Sequence, residues 1–463
     1  MSRRQPNVVF ILADDLGYGD VGCFGNDHVH TPHLDELARD GVALTQHYSA
    51  SPLCAPARAA LLTGRYNHRT GAVDVPSNRG LDRIHLSERT MADHFAAAGY
   101  VTGMAGKWHN GLHDLRYHPR SRGFDEFTGF LNGGMDYYNW TIESAGREQS
   151  GDGRYLTDVF TDAATDFIGR YRHEPFFLYL AYNAPHLPLQ APAQACQRFE
   201  GLGLSDEVST LYAMVEAMDA GIGRVMEALD AHGLTQDTIV VFTSDNGPQF
   251  GGGLDRDNGP FCGAKGDALE GGIRVPAIVR APAWLPSGLQ AHDMIHFCDW
   301  LPTLTGLCGI PEVRSLDGYD CTCRLRGESG DIPDIRFWQR NRYEPIPHCN
   351  AAMRDGPWKL VWPMREGADW KDPVDQAPYE EGLTSPHQVR PLATGLPHRD
   401  VGPASAPRLF HIDEDPCEMQ DLSAAQPARV AAMTRTWDAW FDEILAQWHT
   451  ARADNLMEHS TQT

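Results

Sequence analysis

Two polar pairs, each directly behind an apolar run, are the first sign of chemistry in this chain. Asp14 and Asp15 follow Asn7-Val-Val-Phe-Ile-Leu-Ala13, and Asp245 and Asn246 follow the run Thr238 to Thr243 by way of Ser244. Adjacent carboxylates at two strand ends repel each other unless a cation lies between them, and an oxygen-only set selects Ca2+ or Mg2+ over zinc. A different chemistry is offered by Cys54-Ala-Pro56-Ala-Arg58, a cysteine two residues before a proline, with an arginine and a short apolar helical run behind it. At a helix start the backbone N–H groups and the positive dipole end favour an anion. Each signal alone is weak, because most Asp-Asp pairs at a strand end are turns or caps and most lone cysteines are packing residues. Their company strengthens them: Lys107 and His109 in Gly-Lys-Trp-His, His186 in Asn-Ala-Pro-His, and Lys265 upstream of Glu270-Gly-Gly-Ile-Arg-Val-Pro276. An imidazole near neutrality can serve proton transfer in either direction.

These residues need a frame, and the pattern around them supplies one. Apolar runs at Asn7 to Ala13, Val42 to Tyr48, Val101 to Ala105, Phe176 to Tyr182, Thr238 to Thr243 and Ala277 to Arg280 read as strands. Between them, helices are expected from Pro32 with Thr31 as cap, from Ser87 as cap through Ala98, over Leu156 to Tyr171, and over Asp206 to His232. Strand, functional loop and helix alternate, which predicts a doubly wound α/β fold: a largely parallel sheet sandwiched by helices, with ligands at the carboxyl ends of its strands. The polar stretch Gly327 to Pro333 divides a catalytic domain, 1–332, from a smaller C-terminal α+β domain, 333–463. In the latter, Ala351 to Trp362 and Leu409 to Asp413 read as antiparallel strands. The final helix carries Val430, Met433, Trp437, Trp440, Ile444 and Trp448 on one face, a stripe suited to packing. The stretch Arg365 to Pro407 is a long loop, either functional or disordered.

At Cys54-Ala-Pro-Ala-Arg58 and the trailing Leu62-Thr-Gly-Arg65 the sequence resembles the type I sulfatases of the alkaline-phosphatase-like superfamily. The resemblance runs from Asn7 to the Leu409-to-Leu422 segment. It implies that Cys54 is oxidised to formylglycine, with a formylglycine-generating enzyme as maturation partner. A hydrated aldehyde offers one hydroxyl to attack sulfur and a second whose collapse expels sulfate, where a serine would remain as a stable ester. Asp14, Asp15, Asp245 and Asn246, with the oxygen at position 54, would hold one divalent cation, Ca2+ before Mg2+ or Mn2+. Lys107 and Lys265 match sulfate contacts, and Arg58 orients the hydrate. His109 matches the base for its collapse, while His186, with Lys265, matches the donor to the leaving alcohol. The stretch beginning at Arg122 resembles the corresponding stretch of arylsulfatase-type enzymes, and its Asp136, Tyr137 and Tyr138 suit either stacking on a sugar and bonding its hydroxyls or the packing of a loop.

The expected activity is therefore hydrolysis of sulfate monoesters on a sulfated sugar, such as a glycosaminoglycan or other polysaccharide fragment, with a small aryl or alkyl sulfate as the narrower alternative. The alternatives are a phosphodiester or phosphonate monoester hydrolase of the same superfamily, and an inactive carbohydrate-binding relative. A formal net charge of -23 argues against nucleic acid and anionic membranes as partners. An anionic substrate must then be drawn in by a few local cations. The apolar run at Asn7 is too short to span a bilayer and no signal-type cleavage site follows it. The expected location is cytoplasmic for the chain as given, and secreted or periplasmic if a leader has been removed. Ten scattered cysteines lack a disulfide or zinc rhythm and read as reduced thiols.

Overall fold

A computed structural model describes residues 5–112, 114–375, 381 and 395–460, the stretch 454–460 by its backbone only. In chain order its strands are β1 (Asn7–Ala13), β2 (Val42–Leu44), β3 (His47–Tyr48), β4 (Val101–Lys107), β5 (Glu126–Phe130), β6 (Thr141–Ser144), β7 (Arg147–Ser150) and β8 (Phe176–Ala181). They continue with β9 (Thr238–Ser244), β10 (Ala277–Arg280), β11 (Leu289–Ala291), β12 (Ile295–His296), β13 (Ile335–Gln339), β14 (Ala351–Asp355), β15 (Trp358–Trp362) and β16 (Arg408–His411).

The large sheet has the order β11-β2-β10-β9-β1-β8-β4-β5-β6-β7. Its centre, β9 through β5, is parallel throughout, while β10 runs antiparallel to both neighbours and β6 and β7 close the far edge as a hairpin. Both faces are covered, and β1 shows how. Side chains alternate along a strand, so Val8, Phe10 and Leu12 enter one apolar cluster and Val9, Ile11 and Ala13 the other. The even face packs on the Cys54–Thr63 helix and the Trp300–Leu307 helix; the odd face packs on Leu156–Tyr171 and Asp206–Ala231. No helix among the described residues is long and apolar enough to cross a membrane.

Several local expectations are corrected. Ser87 does not cap a helix; its hydroxyl lies 2.6 Å from His85 Nδ1. That helix is Met91–Ala97, opened by a capping box in which Thr90 accepts from the Asp93 N–H and Asp93 accepts from the Thr90 N–H. Thr31 precedes Pro32–Arg39 without capping it, because its hydroxyl accepts from Gly22 N and donates to Asp35 Oδ1. Val42 to Tyr48 breaks into β2 in the large sheet and β3, which pairs with β12.

The smaller sheet is antiparallel, β13-β14-β15-β16, and it gains a strand the sequence reading had not placed, β13. Met353, Leu360 and Leu409 share one apolar cluster with Leu61 and Leu62 of the Cys54 helix and with Trp437 and Trp440 of the long Pro427–Ser460 helix. Of the Arg365-to-Pro407 loop, 376–380 and 382–394 lie outside the described residues.

Candidate active site

Four neighbouring parallel strands end level with one another. Ala13 of β1 lies opposite Ser244 of β9, Leu12 opposite Ala181 of β8, and Gly106 of β4 also opposite Ala181. Whatever follows each strand therefore emerges on one edge: Asp14 and Asp15, Asp245 and Asn246, Asn183 to His186, and Lys107 at the last position of β4. This is where open α/β sheets place their ligands. Gly106 makes the close pairing possible; at φ +118° a Cβ there would sit 1.8 Å from Ala181 O.

The Cys54–Thr63 helix points its first residue at this edge, and every one of its side chains is buried. Ligand atoms of Asp14, Asp15, Cys54 and His186 lie within 4.8 Å of one another. Cations close the ring. Lys107 Nζ donates to Asp14 Oδ2 at 2.6 Å and Lys265 Nζ to Asp15 Oδ2 at 2.7 Å. Arg58, fully buried, donates from Nε to Asp245 Oδ2 and from Nη1 to Lys107 O, both at 2.9 Å. Asn246 Nδ2 donates to Asp15 Oδ1 at 2.8 Å, and the Asp15 N–H to Asp245 Oδ1 at 3.2 Å.

The electrostatics follow from that packing. Burial would raise the Asp15 carboxyl, but Lys265, His186 and Lys107 together hold it well below the usual range. Asp245 is pushed up to about 6 by burial and by Asp14, against the pull of Arg58. Burial raises the Cys54 thiol to about 11 although Lys107 and Lys265 oppose it, so the unmodified thiol stays protonated at neutrality. The donor set suits a hard cation. Asp14 Oδ1 and Asn246 Oδ1 are buried without a hydrogen-bond partner, and such orphaned acceptors beside crowded carboxylates fit a divalent ion.

Both histidines are held neutral. His186 is lowered to about 3 by burial and by Lys265; its Nδ1 lies 2.7 Å from Leu187 O, which can only accept, so Nδ1 carries the proton and Nε2 faces Asp15 at 3.7 Å. His109 falls well below its ordinary value through burial and then Lys107, and its Nδ1 is buried without a partner. The Gly133 backbone lies against that ring, since a Cβ there would come within 2.6 Å of it.

In the loop expected to contact sugar, one of the three named side chains, Tyr137, is taken up by the fold. Tyr137 is fully buried and its hydroxyl donates to Asn183 O and His186 O, so it props the His186 loop. Asp136 accepts from the N–H groups of Tyr138 and Asn139 and from Gln190 Nε2. Tyr138 packs half-buried near Tyr155. Other supporting residues went unread in the sequence. Ser49 Oγ lies 2.5 Å from Asp245 O, and Asn350, just before β14, donates to Gly266 O at 2.7 Å and accepts from Ala268 N at 3.0 Å, on either side of the turn that follows Lys265. Gly266 N in turn donates to Pro52 O at 2.8 Å, joining the Lys265 loop to the Cys54 loop.

Comparison with known proteins agrees with this architecture. The sulfatase family model matches residues 6–310. Human arylsulfatase A is 33% identical, with 90% of this chain and 83% of that protein covered. Mouse arylsulfatase J is 32% identical, over 93% of this chain and 75% of its own length, and mouse N-acetylgalactosamine-6-sulfatase is 31% identical, over 94% and 85%. Among solved structures, Ps i-CgsB in complex with a k-i-k-neocarrahexaose superposes with a TM-score of 0.79 at 30% identity, covering 94% of this chain and 93% of that one. The chain belongs to the sulfatase family of sulfuric ester hydrolases. Its fold is the alkaline-phosphatase-like one of that family, with the small antiparallel sheet at the C-terminal end.

Proposed function

We propose that this protein removes sulfate from a sulfated saccharide, with a formylglycine made from Cys54 as the nucleophilic residue. The observation that carries this reading is the meeting of Cys54 with Asp14, Asp15 and His186 inside 4.8 Å, ringed by Lys107, Lys265 and Arg58. Asp14, Asp15, Asp245 and Asn246, with the residue at position 54, would hold one divalent cation, and Ca2+ matches a set of hard oxygens. When present, the cation and the formylglycine supply Lewis-acid polarisation and a hydroxyl nucleophile.

The remaining work falls to the chain's own side chains. Lys107 and Lys265 place ammonium groups on either side of the centre, where they compensate the charge of an entering sulfate in a water-poor site. Arg58 fixes Asp245 and the end of β4 in one grip and so sets the frame. Neutral His109, with Nδ1 unpartnered, is suited to accept a proton from the nucleophile. His186 presents Nε2 to the centre. In the free protein it is neutral, and the negative charge of a bound sulfate is what would raise its affinity for the proton passed to the leaving alcohol. The saccharide assignment draws support from relatives, one named an N-acetylgalactosamine-6-sulfatase and one solved in complex with k-i-k-neocarrahexaose.

The test combines two measurements on protein from its native source. Intact mass of the tryptic peptide containing Cys54 should show conversion of the thiol to the aldehyde. Turnover of nitrophenyl sulfate should exceed that of the corresponding phosphate mono- and diesters. An unmodified thiol in a protein that still hydrolyses sulfate esters would remove the nucleophile, and preference for phosphorus would remove the substrate class.

A further inference from the structure

Beside the Lys265 loop, on the edge of the smaller sheet, two guanidinium groups share one carboxylate oxygen. Arg340 follows β13 and is nearly buried; its Nη1 donates to Asp369 Oδ1 at 2.6 Å. Arg342 Nε lies 3.4 Å from the same oxygen. Their environments differ. Arg342 also donates to the buried Asp74 at 3.0 Å, whereas Asp369 is the single acid paired with Arg340 among the described residues. The Asp369 side chain is 53% exposed, against 4% for Arg340. Arg340 Nε is buried without a hydrogen-bond partner. Burial and the neighbouring Arg342 both weigh on the Arg340 charge, and the acid paired with it is a solvent-facing one.

Their location gives this pair a use. Arg340 Nη1 lies 3.6 Å from where a Cβ would stand on Gly266, the residue after Lys265. Asn350 Nδ2 donates both to Gly266 O at 2.7 Å and to Arg340 O at 2.9 Å, so the backbones of the two segments are pinned together. Planar guanidinium groups recognise carboxylate and sulfate alike, and are less strongly hydrated than ammonium groups.

We infer that Arg340 and Arg342 form a second anion subsite, filled by Asp369 in the free protein and taken over by a further carboxylate or sulfate on the saccharide whose sulfate ester sits at Lys107 and Lys265. This rests on the sulfatase reading for its first anion. It narrows the substrate class to saccharides carrying at least two anionic groups, and it makes Asp369 an internal competitor.

The experiment compares wild type, Arg340→Gln and Asp369→Asn on nitrophenyl sulfate, a disulfated disaccharide and a monosulfated disaccharide containing a uronate. The quantity read is kcat/KM for each two-anion substrate divided by that for nitrophenyl sulfate, with melting temperatures reporting the fold. Arg340→Gln should lower the ratio about tenfold, mainly through KM, and Asp369→Asn should raise it about threefold. Opposite signs are the signature, because a purely structural ion pair would respond alike to loss of either partner. A response confined to the disulfated or to the uronate substrate supports the subsite and names its anion. Ratios that stay put, or move the same way in both variants, overturn it. A wild type that turns over none of the three would instead defeat the sulfatase reading. Calorimetry then decides the subsite independently: weaker binding of the disulfated disaccharide to Arg340→Gln and tighter binding to Asp369→Asn support it, and equal affinities refute it.

Discussion

Arg58→Ala puts the frame of the site to the sharpest test. The guanidinium is fully buried, donates from Nε to Asp245 Oδ2 at 2.9 Å with Nη2 at the same distance as an ion pair, and ties in the end of β4 through Lys107 O. Removing one partner of a buried ion pair costs about 3–5 kcal/mol, because the other charge is left without compensation. At about 2.1 cal/mol/K per residue, a 463-residue chain gives about 1 °C per kcal/mol, so melting should fall by about 3–5 °C. Arg58→Lys keeps the charge but cannot reach Asp245 and Lys107 O together, and should fall between the two. Turnover should suffer more than stability, since Asp245 loses its anchor and Lys107 its fixed strand end; about a 100-fold loss in kcat/KM on nitrophenyl sulfate is expected, the scale of losing one preorganised contact. Scanning calorimetry and steady-state kinetics read both. An alanine variant that melts within about 1 °C of wild type and keeps most of its activity would refute the idea that this arginine sets the frame.

Asp245→Ala should lose bound metal and activity together, read by metal analysis of the purified protein; wild-type metal content would take Asp245 out of the ligand set. For His186→Gln the loss should be far larger on saccharide and alkyl sulfates than on nitrophenyl sulfate, whose leaving group needs no proton, and equal losses would end the donor role. His47 is buried, accepts from Trp300 Nε1 at 2.9 Å and is lowered by burial from 6.5 to about 3. A depressed folded value gives stability that is present above pH 6.5 and lost as the pH falls toward 3. By linkage, the stability advantage of wild type over His47→Gln should shrink by about 2 kcal/mol between pH 6.5 and 5 in denaturant titrations. A constant gap would mean that the folded ring takes up its proton freely.

The site was legible where chemistry sits directly after a strand. Asp14, Lys107 and Asp245 each stand at the end of a run free of charged residues, and a sheet buried on both faces leaves little else such a run can be. Lys265 has no such flank; it lies on a loop, and only the resemblance singled it out. Strand direction was not readable either, because the short run Ala277 to Arg280 is compatible with pairing in either sense, and β10 proves antiparallel. β13 was missed because Arg336 and Gln339 occupy buried positions in it. Arg336 is neutralised there by Asp299 at 2.9 Å, a partner 37 residues away. Tyr137 could be read either way, since an aromatic side chain serves a sugar or a core equally well until its burial is known. Asn350 reaches a backbone 84 residues distant, and no local pattern announces that.

Lys359 of β15 carries a consequence for anyone who would take this protein apart. Its buried ammonium group bridges Glu270 and Glu418, each at 2.9 Å, and Glu418 also accepts from the Glu270 N–H. Glu270 lies on the stretch between Lys265 and β10, so that stretch is moored to the final third of the sequence. Trimming at the polar stretch before β13, as modular dissection would suggest, would strand an acid in the interior and unmoor the segment that follows Lys265. Shuffling C-terminal pieces among relatives should accordingly succeed only when this three-residue clasp travels intact.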